Sequence, residues 1–498
     1  MNLWAESDNL ELASTPAEQA QKPGTVRRNA AEQAVLPALR SWLLADYVAP
    51  YCRSLAATRI FRRCFWLDAL GGTRHAQKKA SESKGRDIGG KGDGRDQSRP
   101  YIFDDVVQAE QQTRNGARPG KAAKKAPSEI LPSALQAVAT LAGELASESK
   151  PITLQGIALD NSKTVGTRLI ASASASQNTF SLPKESGVIN ASWREAAPAL
   201  LPAIEQFAAV FLLNPLAVAK PSSFQKLSPA KQEERGRPQG SPPHSASSPA
   251  PTMNGVPFLM VDELAPLVQR TAPTEMCLVM MHRQVESVFL PALHTSAGAA
   301  SFTALLRSDR WKPLLAREGE DAQRVDKAID LWRAVLQPHF LFVQRVAFPM
   351  LLGPATVEDA PCSLIFATRR QDSLACMNDA VCGYRRRLER ESRTGILNEG
   401  WFAAQQAERD AQALQQLGED TLREGRARAP RRWPDLRQQL LLERFGQWML
   451  REYDEVICRL LQADEVRCAW RQPDLDTPDG RVPGNEDMLQ WQWKKRRY

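Results

Sequence analysis

The sequence predicts a doubly wound α/β fold with a mostly parallel sheet, helices on both of its faces and a helical C-terminal extension. Short apolar runs alternate with amphipathic helical patterns from residue 35 to about residue 390, and long, charged helical patterns follow Ser392. One run, Phe207 to Leu213, is apolar throughout and stops at Asn214-Pro215-Leu216. A strand buried on both faces has this character, and strands that alternate with helices form βαβ units.

The period of the apolar residues assigns each element in the first half of the chain. The predicted elements are, in order, a helix at Ser41 to Ser54, a strand at Phe61 to Leu67, a helix at Ile130 to Leu145, a strand at Ile152 to Leu159, a helix at Thr164 to Ser174, a short strand at Val188-Ile189, a helix at Ala191 to Ile204 and the strand Phe207 to Leu213.

The second half continues the alternation and then becomes helical. The predicted elements are a helix at Phe258 to Arg270, a strand at Met276 to His282, helices at Ser301 to Leu315 and Arg324 to Leu336, strands at Phe340 to Phe348 and Cys362 to Thr368, and helices at Asp372 to Glu391, Trp401 to Leu417 and Arg437 to Leu461. An apolar stripe on the last helix, from Leu440 to Ile457, is expected to pack on the parent domain or on a partner helix.

One polar region precedes the predicted α/β domain, residues 35–390, and two more interrupt it. Residues 1–34 are expected to be a disordered N-terminus, and residues 74–127 and 218–254 are expected to be disordered insertions, because they contain too few apolar side chains for a core. Residues 391–498 form the extension, which ends in the basic, aromatic tail Trp491 to Tyr498. The tail could stack on nucleobases, or it could be docked or disordered.

Composition indicates a cytoplasmic protein without a membrane segment. The 498 residues are 43% hydrophobic, no apolar run is long enough to span a bilayer, and the N-terminus lacks a signal-peptide pattern. The formal net charge of +8 permits an acidic partner such as nucleic acid. The insertions could contact phosphate backbones, or they could be solvated loops.

Few other residues suggest chemistry. The eight cysteines include no C-x-x-C pair and sit mostly within apolar runs, which favours buried thiols over disulfides or a metal site. His282 stands at a predicted strand end beside Arg283, where it could act as an acid–base group or a structural residue. The sequence contains no P-loop, no HExxH segment and no Ser-His-Asp spacing.

The predicted strand ends carry the candidate site. Asp68, Gly71 and Gly72 follow the first strand, where a tight turn lets the backbone approach a nucleotide-like ligand. Asp160 ends the second strand, at the place of an acid that accepts hydrogen bonds from ribose hydroxyls. Asn214-Pro215 ends the fourth strand and could hold a substrate nitrogen, although Asn-Pro also starts ordinary turns.

The ordered set resembles the three-Cys-motif partner proteins (TcmP), a methyltransferase-like family. Phe65 to Arg74, F-W-L-D-A-L-G-G-T-R, is similar to the family's D-x-F-A-G-x-G strand end, with Arg74 in place of the last glycine. Asn214 to Ala217 is similar to its D-P-[FW]-G segment. Cys362 to Ala380 is similar to its strand and helix with a Met-x-Asp-Ala segment.

The resemblance, over about Val35 to Arg390, implies a Rossmann-like, methyltransferase-type fold. It further implies that Asp68, Gly71, Gly72 and Asp160 bind S-adenosylmethionine and that Asn214 and Pro215 orient a methyl acceptor. A companion protein with a three-cysteine, radical-type motif is also implied. Two alternatives stay open: a degenerate descendant of the enzyme, or a non-catalytic scaffold that binds nucleic acid or a protein partner.

Overall fold

The computed structural model describes residues 35–70, 133–159, 185–189, 191–216, 252–253, 256–257, 261–315, 321–351, 357–393, 399–429, 431–472 and 481–492. The predicted disordered N-terminus, most of both predicted insertions and the predicted helix Thr164 to Ser174 lie outside these ranges.

The strands in chain order are β1 (Arg63–Asp68), β2 (Thr153–Leu159), β3 (Gly187–Ile189), β4 (Ala208–Leu213), β5 (Thr252–Met253), β6 (Val256–Pro257), β7 (Thr274–Met281), β8 (Phe342–Leu351), β9 (Val357–Thr368), β10 (Val466–Ala469) and β11 (Met488–Trp491). The helices are α1 (Ala49–Ala57), α2 (Ser133–Ser147), α3 (Trp193–Ala203), α4 (Ala265–Gln269), α5 (His282–His294), α6 (Ser296–Leu306), α7 (Trp311–Leu315), α8 (Asp321–Leu336), α9 (Gln371–Arg393), α10 (Glu399–Arg428), α11 (Trp433–Glu443) and α12 (Leu450–Gln462). Residues 35–42 are also helical and continue into α1 through a π-helical segment, Leu43–Val48.

Seven strands form the central sheet in the order β3-β2-β1-β4-β7-β9-β8. β3, β2, β1, β4 and β7 pair in parallel, whereas β9 runs antiparallel to both β7 and β8. All residues of β4 and of β7 are buried, as the continuous apolar runs predict for strands covered on both faces. The prediction of an α/β fold with a mostly parallel sheet is confirmed.

Alternate residues of each strand serve two apolar cores. On β1, Phe65 and Leu67 face a core built with α3, α5, α6 and α8, whereas Cys64 and Trp66 face a core built with the helical segment 35–57, α2 and α9. Successive strand side chains point to opposite faces, so helices cover the sheet on both sides.

Several predicted helices were wrong in extent. Ser301 to Leu315 is two helices, α6 and α7, separated at Arg307, whose φ of 49° ends α6. Phe258 to Arg270 contains only a 3₁₀ turn, Val261–Leu264, and the short helix α4 within the described residues. α5 was missed altogether: it begins at His282, directly after β7, with no turn residues between the strand and the helix.

The C-terminal extension is helical as expected, but its last helix is not continuous. Arg437 to Leu461 is divided into α11 and α12 around Gly446, which has a φ of +71°. A Cβ at Gly446 would lie 2.4 Å from Cγ1 of Val381, so a side chain there would clash with α9 and would also strain the backbone.

The extension also contains an antiparallel ribbon of β10 and β11, which the sequence analysis did not predict. Trp491 of this ribbon lies so close to Gly425 that a Cβ there would be only 2.3 Å from its ring.

Two side chains of the Met-x-Asp-Ala segment on α9 attach the extension to the sheet domain. Asn378 donates through Nδ2 to the carbonyl of Trp448 at 2.7 Å and accepts from the backbone N–H of Gly446 at 2.8 Å. Asp379 accepts from the N–H of Leu450, also at 2.8 Å. The chain between α11 and α12 is therefore held on the parent domain.

A buried carboxyl group joins the N-terminal helices to the sheet and to α9. Glu275 of β7 has no exposed surface, and it accepts from the Tyr51 hydroxyl at 2.8 Å and from the Ser373 hydroxyl at 2.6 Å. Because the single proton of Ser373 goes to Glu275, the Tyr47 hydroxyl donates to Ser373, at 2.9 Å. Burial raises the pKa of Glu275 to about 7, despite these hydrogen bonds.

The raised pKa of Glu275 makes stability depend on pH. The folded protein favours the protonated carboxyl, so this contribution is fully present below the unfolded pKa of about 4.3 and is lost as the pH rises through about 7. We expect Glu275→Gln to remove on the order of 3 kcal/mol of pH dependence between about pH 5 and pH 8, measured by urea unfolding. The exposed Glu144→Gln is the control. Parallel pH profiles for wild type and Glu275→Gln would contradict the assignment.

Candidate functional site

The residues predicted from the strand ends divide into two groups. Asp68, Asn214 and Pro215 are described, whereas Gly71, Gly72 and Asp160 lie outside the described residues. β1 and β4 are adjacent parallel strands, with Asp68 opposite Leu212, so the ends of the two strands are neighbours. Asp68 and Asn214 therefore lie at the same carboxyl edge of the sheet. In open α/β sheets this edge is where ligands bind.

Asp68 is held inside the protein by an arginine. Its carboxylate accepts from Arg40 Nε at 2.6 Å and from Arg40 Nη2 at 3.1 Å, a two-point contact between planar groups. Asp68 is 1% exposed and Arg40 is 7% exposed, so the ion pair is desolvated. The same carboxylate accepts from the N–H of Leu70 at 3.0 Å, which fixes the first residues of the turn after β1.

Asn214 is also held by its neighbours. Its Oδ1 accepts from the N–H of Leu216 at 3.0 Å, which closes a turn around the buried Pro215. Its Nδ2 donates to Oε1 of Gln284, on α5, at 3.0 Å. The side-chain amide is half-buried and points toward the first turn of α5. Asp68, in contrast, contacts the helix of residues 35–42 on the other face of the sheet.

Next to Asn214, the end of β7 places a histidine against a serine. His282 Nε2 lies 2.9 Å from Oγ of Ser363, and Arg345 Nε donates to the same oxygen at 3.3 Å. Burial, first, and the charge of Arg345 lower the pKa of His282, which favours its neutral form. The tautomer of the imidazole decides which of His282 and Ser363 donates the hydrogen bond between them. Ser363 has no exposed surface, so this contact orders the strand ends and does not present a nucleophile.

A cavity of about 790 Å³ lies away from this edge, between the N-terminal helices, α9 and the extension. Its walls combine apolar side chains such as Leu374, Leu441 and Met449 with the carboxylates of Asp46 and Asp379. Asp46 forms an ion pair with Arg387, and Asp379 accepts a hydrogen bond from the backbone N–H of Leu450. Both of these carboxylates therefore have a partner within the protein.

Arg40 and Gln284 are the residues of the site that the sequence analysis missed. Arg40 precedes Asp68 by 28 positions, and Gln284 follows Asn214 by 70. Neither belongs to a recognisable motif. Only the packing of the helices on the sheet brings them to the strand ends.

Within the described ranges, no three His, Cys, Asp or Glu side chains are grouped so that they could hold a metal ion. Nor does any helix in this part of the chain combine the length and the apolar character needed to cross a bilayer. No protein-family model, curated protein or solved structure matches this chain.

We expect Arg40→Met to destabilise the protein by about 3–5 kcal/mol, because it leaves the carboxylate of Asp68 buried without its partner. Adding Asp68→Asn to Arg40→Met should recover part of the loss. The control is Arg53→Met, which breaks the exposed pair of Arg53 with Glu148 and should cost less than about 1 kcal/mol. Urea denaturation measures all three variants. Equal decreases in the free energy of unfolding for Arg40→Met and Arg53→Met would show that the buried ion pair stabilises the fold no more than the exposed one does.

Proposed function

We propose that this chain is a methyltransferase-type protein, similar to the three-Cys-motif partner family, that binds S-adenosylmethionine at the carboxyl edge between β1 and β4. The observation that carries the proposal is the strand order, β3-β2-β1-β4-β7-β9-β8, with β9 as the antiparallel strand. A reversed strand inserted between the last two parallel strands is characteristic of the methyltransferase winding. The direction of winding reverses between β1 and β4, which makes their ends the topological switch point.

The described side chains fit a cofactor site at this place. Asp68, fixed by Arg40 and bonded to the N–H of Leu70, sets the course of the turn that leads to Gly71 and Gly72. In the proposal those glycines let the backbone approach the cofactor, and Asp160, which directly follows β2, accepts hydrogen bonds from its ribose. When bound, S-adenosylmethionine supplies an electrophilic methyl group.

Asn214 is proposed to orient the methyl acceptor. Its Oδ1 keeps a second lone pair after accepting from Leu216 N–H, and this lone pair can accept a hydrogen from a substrate amine. The hydrogen bond to Gln284 restricts the rotation of the amide, which lowers the entropy lost on binding. The proposal also includes a companion protein with a three-cysteine, radical-type motif. The iron–sulfur chemistry belongs to that companion protein and not to this chain.

A second candidate is a non-catalytic scaffold descended from the same fold. Both candidate side chains already form hydrogen bonds within the protein, which favours this second candidate. Asp68 is bonded to Arg40, and Asn214 is bonded to Gln284 and Leu216. Such internal pairing stabilises a strand end without requiring a ligand.

Calorimetric titration with S-adenosylmethionine and with its demethylated product separates the two candidates. We expect Asp160→Ala to weaken binding by about 1–3 kcal/mol, the cost of leaving ribose hydroxyls unpaired. Asn214→Ala should leave cofactor affinity unchanged, because Asn214 is assigned to the acceptor, and the exposed Asp309→Ala is the matched carboxylate control. The absence of binding heat and of a thermal shift at millimolar ligand would reject the enzyme and leave the scaffold.

A further inference from the structure

The two edges of the central sheet differ in how the chain connects them. At the amino edge, the links that lead from a helix into β1, β2, β4, β7 and β8 are short and fully described: residues 58–62, 148–152, 204–207, 270–273 and 337–341. The long segments 71–132, 160–184 and 217–251 instead follow strands at the carboxyl edge. The amino edge is thus a surface whose composition can be read residue by residue.

Basic side chains dominate one part of this edge. Arg59, Ile60, Arg62, Arg63 and Lys150 are all exposed, and we call them the amino-edge surface. They lie together because the carbonyl of Arg62 accepts from the N–H of Thr153 at 2.9 Å, which joins the entry of β1 to that of β2. Among the described residues, none forms an ion pair with Arg59, Arg62, Arg63 or Lys150.

Nearby carboxylates do little to neutralise these cations. Glu148 is paired with Arg53 at 2.8 Å, and Asp372 is paired with Arg370 at 2.5 Å. Glu185 and Glu205 are exposed on the same edge, and neither forms an ion pair with a described residue. Four unpaired cations against two unpaired carboxylates leave a local positive excess, which attracts polyanions.

Arginine side chains on this edge also lie over aromatic rings. The guanidinium of Arg63 is 5.2 Å from the centre of the Phe207 ring, and that of Arg370 is 6.0 Å from the centre of the Phe61 ring. A guanidinium held flat on a ring keeps its other face available for a planar group. Ile60, which is 75% exposed, adds an apolar contact beside them.

We propose that the amino-edge surface binds single-stranded nucleic acid. Arg59, Arg62 and Lys150 contact successive phosphates, and the guanidinium of Arg63, supported by Phe207, stacks on a base. Cations that follow a backbone, together with planar groups that stack on bases, characterise sequence-tolerant single-strand binding. A duplex keeps its bases stacked on each other, so it cannot use the planar group at Arg63. The surface lies opposite the proposed cofactor edge, so neither proposal depends on the other.

The test is fluorescence anisotropy of the full chain with a labelled oligouridine of about 20 nucleotides. The variant Arg59→Glu/Arg62→Glu/Lys150→Glu is compared with Arg310→Glu/Lys312→Glu/Arg409→Glu, which reverses three exposed cations elsewhere on the chain. Both variants change the net charge equally, so basic segments outside the surface affect them alike. We expect the first variant to bind about tenfold or more weakly than the control, with a salt slope smaller by about 2.

Arg63→Lys tests the stacking contact separately, since it keeps the charge and removes the planar group. We expect a loss of about threefold for the oligouridine with an unchanged salt slope. Equal affinities of the two triple variants, or no binding by the wild type, would overturn the proposal. Tighter binding to a duplex of equal length, or equal displacement by polyglutamate, would overturn the assignment of the partner as single-stranded nucleic acid.

Discussion

Burial of the sheet centre on both faces is the constraint on which the rest of this structure depends. β1, β4 and β7 are covered by helices on either side, so a polar group at their ends must find a partner within the protein or within a ligand. Asp68 is satisfied by Arg40, Asn214 by Gln284, and Glu275 by two hydroxyl groups. These contacts come from three different helical segments, and each one fixes a helix relative to a strand.

The same constraint separates the two edges of the sheet. The carboxyl edge holds paired polar side chains, whereas the amino edge is built from short links with unpaired cations. Ligand binding at the carboxyl edge would depend on hydrogen bonds formed away from water. Contacts at the second edge would be electrostatic and screened by salt. The two edges of one sheet would therefore select their ligands by different interactions, hydrogen bonding at one edge and charge at the other.

The elements of the sheet were predictable because their signals are local. Continuous apolar runs identified β4 and β7, because a strand buried on both faces carries apolar side chains at nearly every position. The break at Gly446 was not recognised, because the apolar stripe of Leu440, Leu441 and Ile457 continues across it. Its φ of +71° occurs where the chain packs closely on α9. Arg40 and Gln284 were missed for the same reason, since their roles exist only after the helices have packed.

Helix α9 belongs to two cores at once. Its inner face contributes Met377 and Val381 to the core of the sheet domain, while Asn378 and Asp379 bind the backbone of the extension from Gly446 to Leu450. Detaching the extension would expose an amide and a carboxylate that now bond to backbone, and it would open the cavity along the same helix. Local opening of the extension therefore removes contacts that also hold α9, so the stabilities of the two regions are coupled.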